Sequence, residues 1–96
     1  MSSTTTSIGH FYYVYVLESL KDQRKYIGFT ENPKKRLEEH NRGRSFATRS
    51  RRPLQPIYIE GCLNVADAKR REHYFKTTGG RRFLAKRLRE YFQSKL

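Results

Sequence analysis

Between Phe11 and Leu17 the chain runs seven residues without a charge, in a sequence where 31% of residues are Asp, Glu, Lys or Arg. Aromatic rings and β-branched side chains fill that run, and both kinds fit a pleated, packed surface better than a helix. It reads as a buried strand. Alternation puts Phe11, Tyr13, Tyr15 and Leu17 on one face and Tyr12, Val14 and Val16 on the other. The polar stretch Ser19 to Arg24 follows, and Lys25 to Phe29 reads as a second strand, the hairpin partner of the first.

Asn32 followed by Pro33 marks a helix start, because asparagine caps free amides and proline loses nothing at the first helical position. That helix is expected to reach about Asn41. The stretch Arg42 to Pro56 contains five arginines, Gly43, Pro53, Pro56 and no acid, which marks a cationic loop. Ile57 to Leu63 alternates as a third strand, Asn64 caps a helix expected over Val65 to Thr77, and Gly79 with Gly80 is expected to end it. A last helix from about Arg81 carries Leu84, Leu88, Tyr91 and Phe92 on one face. The order is β-β-α-β-α-α in a single domain from residue 11 to 96. Met1 to His10, rich in Ser and Thr and without an apolar stretch, reads as a disordered tail rather than a targeting peptide.

Lys and Arg number 21 against nine acids, a formal net charge of +12. Such a surplus calls for a polyanion, and nucleic acid answers it by releasing condensed counterions as phosphates are neutralised. A membrane partner is not expected, since no run approaches the ~20 apolar residues of a spanning segment. One cysteine, Cys62, can form neither an internal disulfide nor a thiolate cage, which suits a reducing, cytoplasmic setting.

Chemistry points to three places. On the helix after Asn64, the residues Val65, Ala68, Glu72 and Phe75 recur at spacings of three, four and three, so Glu72 stands in the row expected to face the core. An unpaired carboxylate there is costly. It reads either as half of a salt bridge to an arginine or as a hard oxygen ligand for magnesium or manganese. Arg36 and His40, four apart on the first helix, share a face: either a solvated surface with Glu38 and Glu39 in local pairs, or a phosphate fork beside a proton carrier. Tyr15 and Tyr26 are neighbours across the hairpin, which alone would signify packing. Gly28, however, lies inside a strand, where glycine often marks a close approach.

Tyr13-Val14-Tyr15, ten intervening residues, Tyr26-Ile27-Gly28, then Arg36, His40 and Glu72 together resemble the GIY-YIG nuclease domain from about Phe11 to Phe92. The resemblance implies an α+β fold, a three-stranded antiparallel sheet flanked by three helices. It implies a metal-dependent endonuclease acting on DNA, structure-directed or weakly sequence-specific, in repair or recombination. Tyr15, Tyr26, Arg36, His40 and Glu72 would be catalytic, with Glu72 holding Mg2+ or Mn2+ and Gly28 structural in the motif. Tyr13 stands where the family name has glycine. The asparagine that many family nucleases carry after the glutamate helix is replaced by Thr77-Thr78-Gly79-Gly80-Arg81-Arg82, so Arg81 is expected to contact phosphate instead. Arg42, Arg44, Arg49, Arg51 and Arg52, with Arg81, Arg82, Lys86, Arg87 and Arg89, are expected to grip nucleic acid, DNA foremost and RNA also open. A targeting partner protein is expected as well. The competing readings are a binding module that has lost cutting and a basic adaptor.

Overall fold

The computed structural model describes residues 9–95. Three strands, β1 (Tyr12–Ser19), β2 (Lys25–Thr30) and β3 (Leu54–Cys62), form an antiparallel sheet in the order β2-β1-β3, so the uncharged run lies in the middle. Helices α1 (Pro33–Asn41), α2 (Val65–Phe75), α3 (Thr78–Arg87) and the short α4 (Arg89–Gln93) complete the α+β architecture. The expected order holds, with the last helix divided in two. Residues 1–8 of the expected tail lie outside the described residues, whereas the His10 imidazole packs edge-on against Tyr12 at 5.0 Å and meets Glu31 at 2.9 Å.

Alternation along β1 decides which residues meet which helix. Val14 and Val16 enter a core with Ala68 and Phe75 of α2 and Leu84 of α3, while Tyr15 and Leu17 pack on the other side with Leu54 and Leu37. Phe75 is fully buried and fills the space between the sheet and α3, its ring stacked on Phe83 at 5.9 Å. Arg71 joins α2 to β3: its guanidinium holds the Glu60 carboxylate at 2.7 and 3.0 Å and lies 4.6 Å over the Phe75 ring. A bidentate pair leaning on aromatic faces is a geometry that lysine could not reproduce.

Two boundaries differ from the sequence reading. Strand β3 begins at Leu54, three residues ahead of Ile57, and includes Pro56 opposite Leu17. Proline is tolerated there because β3 is an edge strand. The register slips between Val16 and Leu17, leaving Ile57 as the extra residue of a bulge. Gly79 and Gly80 do not end α2. That helix stops at Phe75, Thr77 caps α3 by accepting from the Gly80 amide at 3.1 Å, and both glycines lie in the first turn of α3. Gly80 is needed for packing, since a Cβ there would collide with the Tyr74 carbonyl.

The bend at Leu88 turns α4 back toward the sheet. Tyr91 and Lys95 both reach Glu18 at the end of β1 at 2.5 Å, and Lys25 lies 3.2 Å from its other oxygen. Glu18 is almost wholly buried. Burial alone would raise its pKa, but Lys95, Tyr91 and Lys25 outweigh that and hold the carboxyl below its ordinary value of 4.5. On acidification the unfolded chain therefore takes up this proton first. The Glu18 contribution is complete above pH 4.5 and disappears as pH falls through the lowered folded value. Urea midpoints measured from pH 6 down to 3 should decline below about 4.5 in the wild type and decline less steeply in Glu18→Gln.

The two glycines of α3 should respond with opposite signs. Gly80→Ala should lower stability by about 1–3 kcal/mol through the collision with Tyr74. Gly79→Ala meets only ordinary contact with the Tyr74 ring at 3.6 Å and should gain up to about 1 kcal/mol of helix propensity. Equilibrium urea unfolding of both variants reads the difference.

Candidate active site

Tyr15 of β1 faces Gly28 of β2, and Tyr26 faces Leu17, so the two tyrosines lie diagonally on one side of the hairpin with ring centroids 6.3 Å apart. A Cβ on Gly28 would fall within the end of the Tyr15 ring. Glycine is thus the residue that lets the phenol lie flat across β2, the close approach its position in a strand suggested.

The phenol is aimed by α1. Asn32 accepts the Lys35 amide at 3.2 Å and Pro33 opens the helix, so its last turn delivers His40 beneath the sheet. His40 is completely buried. Its Nε2 lies 3.0 Å from the Tyr15 hydroxyl and its Nδ1 lies 2.7 Å from the Thr48 hydroxyl, while its ring meets Tyr26 edge-on at 5.1 Å. Burial first, and the neighbouring Arg36 charge second, push its pKa down to about 4, with Glu39 opposing. The imidazole is therefore neutral at pH 7, donating through one nitrogen and accepting through the other.

Arg36, one turn earlier, is half-buried and pairs with Glu39 at 3.1 Å. The reading of this helix face as solvated with local pairs fits Arg36 and Glu39 but not His40. Burial raises the Tyr15 pKa above its ordinary 10; Arg36 opposes that rise, and the charges of Tyr26 and Glu72 reinforce it. Tyr15 thus lies within electrostatic reach of Arg36, Tyr26 and Glu72.

Glu72 stands at the rim rather than in the core. Ala68 and Phe75 of its row are buried, Val65 is exposed, and the Glu72 side chain keeps 21% of its surface in water. Its ion-pair partner is Lys76 at 3.3 Å, one turn along α2, and not an arginine. A surface pair of this kind contributes little and is easily exchanged, which leaves the carboxylate free to take a cation. Among the described residues no three His, Cys, Asp or Glu side chains converge as a metal cage. A single carboxylate beside a phosphate suits magnesium or manganese, which keep several waters, and does not suit zinc.

Of the basic residues, Arg42, Arg44, Arg49 and Arg52 are exposed on the loop before β3, and Arg81, Arg82, Lys86, Arg87 and Arg89 are exposed on α3 and α4. Arg51 is half-buried and donates to the Lys25 carbonyl at 3.3 Å, anchoring the loop to β2, and Arg89 turns to Glu90 at 3.0 Å. The two groups meet at a cavity of about 830 Å³, where Arg51, Lys76 and Arg81 surround an opening shared with Tyr26. That hollow has Tyr26 in its lining but not Tyr15, His40, Arg36 or Glu72. Thr48 has no counterpart in the sequence reading, because a hydroxyl within an arginine-rich loop carries no signal of its own.

An NMR titration of the His40 imidazole should show a midpoint near 4, and Gly28→Ala, by pushing the Tyr15 ring away and admitting water, should move it upward toward 6.5. A wild-type midpoint at or above 6 contradicts this geometry.

Comparison with known proteins agrees with the arrangement. The family model of the GIY-YIG catalytic domain matches residues 11–87. A UPF0213 protein of Lactiplantibacillus plantarum is 40% identical over 78% of this chain and 75% of its own length. A UPF0213 protein of Clostridium perfringens is 42% identical over 67% of this chain and 69% of its own. A structure-specific endonuclease subunit SLX1 homolog of Drosophila mojavensis is 45% identical over 53% of this chain, a stretch that makes up 20% of that protein. No solved structure matches significantly. A family match over most of the described residues, on a sheet that brings both motif tyrosines together, makes this chain a member of the GIY-YIG nuclease family.

Proposed function

We propose that the protein is a divalent-metal-dependent endonuclease that hydrolyses DNA phosphodiester bonds at branched or weakly specified sites, in repair or recombination. The observation that carries this reading is the line of contacts from the Tyr15 hydroxyl through the buried His40 imidazole to Thr48, flanked by Arg36 and Glu72. The name of the Drosophila relative, a structure-specific endonuclease subunit, supports the branched substrate.

A phenol whose pKa is raised is a poor base by itself. The neutral imidazole changes that. As the Tyr15 hydroxyl accepts a proton from an attacking water, it hands its own to His40 Nε2, and no free phenolate accumulates. Tyr26 touches the imidazole only through its ring, so Tyr15 is assigned the base and Tyr26 the positioning of water or phosphate. Arg36 exchanges Glu39 for the non-bridging phosphate oxygens, where a guanidinium fork stabilises the charge that grows at the transition state. Glu72 is the residue that would hold the cation, which when bound supplies Lewis-acid stabilisation of the leaving oxygen. The exposed arginines of the loop and of α3, Arg81 in place of the family asparagine, hold the flanking backbone. A cytoplasmic location and a targeting partner complete the proposal.

Single-turnover cleavage of flapped and branched DNA with Mg2+ or Mn2+ tests it. Tyr15→Phe and Glu72→Gln should each lower the rate about 10²- to 10⁴-fold, and Tyr26→Phe should cost less than Tyr15→Phe. Because His40 charges only near pH 4 in the free protein, wild-type kcat/KM, read at subsaturating enzyme, should persist from pH 7 to 5 instead of falling around 6.5. Salt-sensitive binding without any product in the wild type would reduce the protein to a nucleic-acid-binding module.

A further inference from the structure

Phe46 is 83% exposed, the most exposed of the large apolar side chains among the described residues. A single surface phenylalanine is ordinarily unremarked. Its surroundings set this one apart. Ser45 and Thr48 on either side are buried, and the Thr48 and Arg49 amides both bond back to the Ser45 carbonyl, at 3.2 and 2.9 Å, forming a turn with Phe46 at its tip. The foot of that turn is Thr48, whose hydroxyl holds His40. The ring is therefore presented on a fixed support two residues from the hydrogen-bonded line that ends at Tyr15.

The Arg49 guanidinium lies 4.9 Å from the Phe46 ring centroid, and Arg44 is exposed beside the turn. An aromatic ring among uncompensated arginines is poorly suited to an apolar protein partner, because docking would strip water from the charges. It is well suited to a nucleotide, whose base stacks on the ring while its phosphate meets the guanidinium. We propose that Phe46 is a stacking platform for one unpaired nucleobase next to the scissile phosphate, and that it directs the protein to branch points and single-stranded flaps. The inference rests on the nuclease reading for the identity of the ligand. Unpaired bases are favoured over paired ones because extracting a base from a duplex costs a few kcal/mol, whereas a flap base is already free. Stacking tolerates any base, so the platform selects structure and not sequence.

The chain contains no tryptophan, so Phe46→Trp introduces a single fluorescent reporter at the tip without disturbing the core. The full chain is titrated in EDTA, where cleavage is silent, with a single-stranded oligonucleotide, a flapped duplex and a blunt duplex. The proposal expects quenched Trp fluorescence with the first two and little change with the third. Phe46→Ala should weaken binding to single-stranded and flapped DNA about 5- to 100-fold while leaving blunt-duplex binding unchanged, and Phe46→Leu should not restore it. It is overturned if the reporter is silent while DNA binds, if Phe46→Ala binds the flap as the wild type does, or if Phe46→Leu is fully competent. Because no step in this experiment requires cleavage, quenching by a catalytically inert protein would still uphold the platform and refute only the nuclease reading.

Discussion

A single buried imidazole ties the central strand to the helix and the loop that follow it. His40 comes from α1, Tyr15 from the central strand and Thr48 from the arginine-rich loop, and both ring nitrogens are engaged. In a site sealed from water, either hydrogen bond left unmade would cost roughly 1–3 kcal/mol. The three segments are therefore held to one arrangement. The loop, which has no strand and only a short 3-10 turn over Arg49–Arg51, gains its order from this contact and from Ser19 and Lys21, which bond to the carbonyls of Arg51 and Ser50. The loop arginines proposed to bind phosphate and the Tyr15–His40 pair proposed to move the proton are thus positioned by the same bonds.

Charge is distributed to match. Glu18, Glu60, Glu39, Asp22 and Glu72 each pair with a cation inside or at the edge of the fold. Among the described residues the exposed arginines of the loop (Arg42, Arg44, Arg49, Arg52) and the basic residues of α3 (Arg81, Arg82, Lys86, Arg87) have no such partner, nor do Lys21, Arg24, Lys34, Lys35 and Lys69 elsewhere on the surface. The pairs near the core are little affected by salt, whereas the exposed arginines act over about a Debye length and lose effect as ionic strength rises. Fold and polyanion affinity are consequently separable: salt that weakens the second leaves the first largely intact.

Much of this was legible because period and punctuation are local properties. The uncharged strand, the Asn32-Pro33 start of α1 and the Asn64 cap follow from side chains within a few residues of one another, whereas Tyr15 and Tyr26, expected as neighbours across the hairpin, are set diagonally by its register. Misreadings arose where a local rule met a non-local fact. Pro56 reads as loop unless β3 is known to be an edge, and Gly80 reads as a helix end unless Tyr74 is known to press against it. Glu72 was expected in the core because helical spacing fixes a face but not how far the sheet extends over it. Thr48 and Phe46 carried no pattern, since their meaning depends on a histidine and an arginine fixed by the folded loop.

The low pKa of His40 bears directly on when the proposed chemistry can occur. Protonating a buried imidazole next to Arg36 is unfavourable in the free protein, where burial and that cation act together. A bound phosphodiester reverses part of this balance: its negative charge engages Arg36 and leaves the carboxylate of Glu39, the one group already favouring the imidazolium, without its partner. On the proposed reading the proton acceptor becomes competent as substrate arrives. A protein so basic, bound along nucleic acid by backbone contacts alone, would then hold its base inactive except where a phosphate enters the space between Arg36 and the tyrosines, so binding and cutting are governed by different sets of charges.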